Sequence, residues 1–124
     1  MVVYTPDSAP EALWQRVVID TTFNEGHALI CADLDADGDD EIIAGYRGKG
    51  YGLYIYDCLD SRGKRWERIV LDEGDMAASG VAIADIDGDG RLDIICVGTA
   101  TSNIKWYENL GPVRRENRPP PPRG

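Results

Sequence analysis

Short runs of β-branched and aromatic residues recur along the chain, each cut off by glycine, aspartate or a charged turn. They predict strands over 14–20, 28–33, 41–46 and 52–57, then over 66–72, 80–85, 93–98 and 103–108. No segment sustains the 3.6-residue apolar period of a long helix, so the predicted class is all-β.

The two sets of strands are copies of one another. "WQRVVID" at Trp14 returns as "WERIVLD" at Trp66, and Asp33 returns as Asp85, both 52 residues on. "LYIYD" from Leu53 is answered by "IKWYE" from Ile104, after a slip of one residue. A repeat of about 50 residues holding four strands is the arithmetic of a β-propeller blade. The predicted organisation is a lead-in over 1–13, a first blade repeat over 14–65, a second over 66–110 and a Pro/Arg-rich tail over 111–124. Gly26, Gly48, Gly50, Gly52 and Gly80 are assigned to turns, and the tail, with its run Pro119 to Pro122, to solvated polyproline II without order.

Composition adds a local charge. The net charge is −9, and the ten carboxylates of two stretches account for more than all of it: Asp33, Asp35, Asp37, Asp39, Asp40 and Glu41, then Asp85, Asp87, Asp89 and Asp93. No basic face is available for phosphates, which argues against nucleic acid as a partner. No apolar run approaches the ~18 residues of a membrane span, and the N-terminal stretch lacks the pattern of an export signal, so the compartment is left open. Cys31, Cys58 and Cys96 cannot all pair within one chain, and are expected to be buried free thiols.

Like charges this dense either lie solvated or are organised by a cation. Alternate carboxylates at Asp33, Asp35 and Asp37, followed by a reversal at Gly38, can converge on one point. Calcium takes about six to eight oxygens and tolerates irregular geometry, whereas magnesium demands a stricter octahedron. Glu41 and Asp93 add a carboxylate at the ninth position; Asp39 and Arg91, at the seventh, need contribute only a carbonyl. An EF-hand opens the same way but fails at its twelfth position, here Ala44 and Cys96, and a strand follows each loop where a helix is required.

"DLDADGDDEIIAG" and "DIDGDGRLDIICVG" resemble the D-x-D-x-D-G-x-x-[DE] loops of FG-GAP/VCBS repeats, which form propeller blades in integrin α-subunit heads, certain lectins and a sugar dehydratase. The resemblance implies two Ca²⁺ per chain. One would be held by Asp33, Asp35, Asp37, the Asp39 carbonyl and Glu41; the other by Asp85, Asp87, Asp89, the Arg91 carbonyl and Asp93. The relatives carry about seven blades, and this chain has two.

Two four-stranded blades leave broad apolar faces bare, so the chain is expected to complete a propeller by homo-oligomerisation. A homotrimer of six blades is favoured over a dimer or tetramer. Strand 14–20 is expected to complete the second blade of an adjacent chain. His27, the sole histidine, falls near the central channel of such a ring, and "YRGKGYG" sets Arg47 and Lys49 beside Tyr46 and Tyr51, a combination suited to an acidic sugar. Three functions stay open: a calcium-stabilised binding or scaffold module, possible for carbohydrate; an enzyme like the sugar dehydratase; and an excised or engineered fragment without activity of its own.

Overall fold

The computed structural model describes residues 1–112; the tail from 113 onward, with the run Pro119 to Pro122, lies outside them. Among the described residues nine strands form: β1 (Val2–Thr5), β2 (Gln15–Val18), β3 (Gly26–Ala32), β4 (Glu41–Tyr46), β5 (Gly52–Cys58), β6 (Trp66–Glu73), β7 (Ala78–Ala84), β8 (Asp93–Gly98) and β9 (Asn103–Tyr107). They make three antiparallel sheets, ordered β1-β2, β3-β4-β5-β6 and β7-β8-β9, and the described residues include no helix. All eight predicted strands are present, and the class is all-β.

The sheets are out of phase with the sequence repeat. β6, at the head of the second repeat unit, closes the sheet begun by β3, so the four-stranded unit runs from Gly26 to Glu73 rather than over 14–65. The sheet of β7, β8 and β9 has three strands among the described residues, where four were expected.

The lead-in is not featureless, since β1 pairs with β2. Its register is that of β5 on β6 displaced by one repeat: Val2 faces Val18 as Tyr54 faces Val70, and Tyr4 faces Arg16 as Tyr56 faces Arg68. β1 and β2 are therefore the outer half of a preceding unit. Within one chain, the edge of β2 that a neighbour's β9 would need is thus occupied by β1.

The two larger sheets face one another across Ala28, Ile43, Leu53, Met76, Ala78, Ile94 and Cys96, all buried. Burial of such side chains contributes about 1.5–3 kcal/mol for each large one. The close approach of β4 to β7 requires a glycine, since a Cβ on Gly45 would collide with that of Ala78. Gly26 and Gly80, assigned to turns, instead lie in strands beside bulges at His27 and Ser79. Cys96 is buried and Cys58 half-buried, but Cys31 is exposed, because strand alternation turns it off the core face of β3.

A buried carboxylate ties each sheet to the next. Tyr56 donates from its hydroxyl to Asp20 at 2.6 Å, and Tyr107 to Asp72 at 2.6 Å. Asp20 and Asp72 are the last residues of the two "WxRxVxD"-like segments, so both bonds run from an outer strand to the third strand of the following sheet. Thr22 donates twice more to Asp20, at 2.7 and 2.6 Å, and Arg68 stands 3.4 Å from it while covering the Tyr54 ring. Lys105 completes the second clamp at 2.8 Å.

Burial raises the Asp20 carboxyl, but the hydrogen bonds of Thr22 and Tyr56 and the charge of Arg68 outweigh it and hold the pKa at about 2 against an ordinary 3.8. A depressed folded-state pKa gives stability that is complete above the unfolded value and is lost as pH falls through the folded one. We expect urea melts to show Asp20→Asn less stable than wild type by roughly 2 kcal/mol near neutral pH, with the difference closing as pH falls from about 4 to about 2. A difference unchanged across that window would contradict a charged clamp.

Candidate metal centre

Each acidic stretch is the connection between the first two strands of a sheet, residues 33–40 between β3 and β4 and residues 85–92 between β7 and β8. The backbone folds back on the carboxylates in the same way in both. In the first, Asp33 accepts from the N–H groups of Asp37 and Gly38 at 3.1 and 3.0 Å, and Asp37 accepts from Asp39 at 2.8 Å. In the second, Asp85 accepts from Asp89 and Gly90 at 3.1 and 2.9 Å, and Asp89 from Arg91 at 2.8 Å. The bonds hold the side chains turned inward, with lone pairs left over for a hard cation.

The outcome is a convergence of oxygens. Asp33, Asp35, Asp37 and Glu41 each bring one to within 4.8 Å of the others, and so do Asp85, Asp87 and Asp89. Such all-oxygen groups suit a hard divalent ion. Glu41, 4% exposed, holds the loop by accepting from Leu34 N–H at 2.6 Å. Burial pushes its carboxyl up, and the charges of Asp35, Asp57 and Asp37 add to that. Burial also raises Asp35, with Asp37, Asp57 and Asp33 adding. Among the described residues, the first loop thus carries negative charge that no side-chain cation offsets among its hydrogen bonds.

The second loop differs. Asp93, fully buried, accepts from Ile86 N–H at 3.0 Å and Asn109 N–H at 2.8 Å, and lies outside the converging group. An aspartate is one methylene shorter than the glutamate at the same place, so it reaches the backbone but not the other carboxylates. The Asn109 N–H holds its carboxyl below the usual range. Arg91 pairs with Asp89 at 2.6 Å, bringing a positive charge that the first loop lacks. Asp39, the counterpart of Arg91, is exposed.

The residues predicted to hold a ligand divide between the core and the surface. Tyr46 is buried, its hydroxyl 3.1 Å from that of Tyr54 and its ring edge-on to Phe23, so it belongs to an aromatic core. Arg47 and Lys49 are exposed and Tyr51 is half-buried. His27 is exposed on its bulge, with Nδ1 3.0 Å from the Ser79 carbonyl on the facing bulge. A cleft of about 890 Å³ opens beside the first acidic loop, between Ile55 and Leu71 on one wall and Ile94 and Tyr107 on the other.

Four contributors escaped the sequence reading. Asp57 faces the first loop from β5, and its signal was only the aspartate ending "LYIYD". Asp72 and its counterpart Asp20 were visible as repeated aspartates without a partner. Asn109 had no signal, because Cys58 stands at its place in the first repeat.

Comparison with known proteins agrees with this construction. A family model described as an FG-GAP-like repeat matches residues 33–96, from the first ligand candidate to the middle of β8. Cartilage acidic protein 1 of Xenopus tropicalis is 36% identical over 100 residues, covering 72% of this chain and 15% of the relative. Its Homo sapiens counterpart is 36% identical over 111 residues, covering 79% of this chain and 16% of the relative. The chain therefore spans about a sixth of the length of these relatives. No solved structure matches the chain. With the match centred on the two acidic loops and the strands they join, the chain belongs to the FG-GAP-like repeat family.

Proposed function

We propose that this chain is a calcium-stabilised segment of a β-propeller that acts as a binding and scaffold module, with one Ca²⁺ in each acidic loop. The observation that carries it is the convergence of Asp33, Asp35, Asp37 and Glu41 within 4.8 Å, on a loop whose own N–H groups turn the carboxylates inward. A bound divalent ion supplies the positive charge that such a group needs. The chain's residues do the rest: Glu41 fixes the Leu34 peptide, and Asp93 does the same for Ile86. The second loop binds more weakly, since it brings three converging carboxylates rather than four and Arg91 already pairs with Asp89.

Further blades cover the exposed Trp14 and Val18 on one side and Ile104 and Trp106 on the other. Sister copies can supply them, as in the homotrimer, only if β9 of one chain replaces β1 on β2 of the next. Both are third-strand counterparts and compete for one edge.

We expect calorimetry to find two calcium sites, the tighter abolished by Asp33→Asn and the weaker by Asp85→Asn, and chelator to lower the melting temperature. Calcium at about a hundred times its Kd should add about 2.7 kcal/mol per site. A melt unchanged by chelator would contradict the proposal. A second expectation concerns backbone strain. Ala36 holds φ at +62° where its counterpart Gly88 holds +76°. Ala36→Gly should therefore stabilise the protein by about 0.5–1 kcal/mol in chemical melts, because an alanine pays a steric penalty in that region. No gain, or a loss, would contradict it. Third, Val3→Pro, which disrupts the β1 ladder, should move native mass spectra toward the trimer; a distribution indifferent to the substitution would count against ring closure by exchange.

A further inference from the structure

Resting on the calcium reading above, we propose that Asn109 is a positioning residue that couples the two cation loops, so that loading one raises the affinity of the other. Asn109 lies two residues beyond β9 and is half-buried. Its side-chain Nδ2 donates to the Leu34 carbonyl at 2.7 Å and to the Leu92 carbonyl at 3.1 Å, one in each loop. Its Oδ1 accepts from Gly111 N–H at 3.0 Å, which fixes the orientation of the amide. Its backbone is engaged too: the N–H donates to Asp93 at 2.8 Å, and the carbonyl accepts from Arg91 Nε at 2.8 Å.

What these bonds hold decides what they do. Leu34 sits between Asp33 and Asp35, and its peptide is fixed on the N–H side by Glu41 and at the carbonyl by Asn109. Leu92 sits between Arg91 and Asp93 in the other loop. From the Asn109 carbonyl the path continues through Arg91 to Asp89, one of the three converging carboxylates of the second loop. Hydrogen bonds thus run without a gap from the peptide between two ligand candidates of one loop to a ligand candidate of the other. Drawing either loop tight around an ion fixes Asn109, and a fixed Asn109 has already oriented the peptides of the second loop. Ordering that is complete before the second ion arrives need not be supplied by it, which is positive coupling. Repulsion between two divalent ions would act with the opposite sign, so the sign of the coupling is itself informative.

The test is a cycle of calcium titrations on the full chain, read by calorimetry: wild type, Asp85→Asn/Asp87→Asn to disable the second loop, Asn109→Asp, and the combination. Asn109→Asp keeps the size of the side chain and Oδ1 while removing both Nδ2 donations; Asn109→Ala serves if it fails to fold, with circular dichroism as the check. Disabling the second loop should weaken calcium at the first by about fivefold in the wild-type background and by less than about twofold in the Asn109 background, at the lower end of typical coupling. A purely structural Asn109 would shift affinities alike in both backgrounds and leave the ratio unchanged, which would overturn the proposal. Two independent sites in wild type, or negative coupling, would overturn the coupling while leaving calcium binding intact. No binding at millimolar calcium would overturn both.

Discussion

Four carboxylates held within 4.8 Å of one another repel, and the first acidic loop meets that constraint with its backbone. N–H groups folded back onto Asp33, Asp35 and Asp37 hold these side chains together, although Asp35 and Asp37 stay exposed. The ion proposed for this loop would meet that charge from outside it. In the second loop Arg91 meets part of it, and Asp93 withdraws to hold the backbone. The same local fold therefore has two electrostatic outcomes, decided by arginine in place of aspartate at the seventh position and aspartate in place of glutamate at the ninth.

The loops keep their place because the strands behind them keep theirs. Asp20 and Asp72 each leave an outer strand and accept a hydroxyl from the third strand of the next sheet, at the same distance in both copies. A buried charge is costly unless its partners are in place, so this bond fixes the spacing of neighbouring sheets more tightly than apolar contact alone. Asn109 then joins the loops at the edges of those sheets. Strand order, clamp and loop bridge are three levels of one arrangement, in which each unit is completed by the unit beside it.

The acidic loops were legible because their chemistry is local: three alternate aspartates, a glycine and a fourth acid lie within nine residues. The strands were legible from β-branched runs. The phase of the sheets was not, since whether β6 joins the strand before it or the strand after it is decided by pairing and not by composition. β1 was missed as a four-residue strand, although its "VVYT" keeps the tyrosine at the place Tyr56 holds in β5. Tyr46 was read with the loop that follows it, but it ends β4 and packs inward against Tyr54 and Phe23. Asn109 owes its role to a contact 75 residues away, which no periodicity reveals.

The most direct measurement is diffraction from crystals grown in calcium, with anomalous scattering from a lanthanide substituted into the same crystals. The account requires a peak enclosed by Asp33, Asp35, Asp37 and Glu41, with oxygens at about 2.3–2.6 Å from the calcium. Those four side chains turned away from one another into solvent, with no peak between them at millimolar calcium, would contradict it.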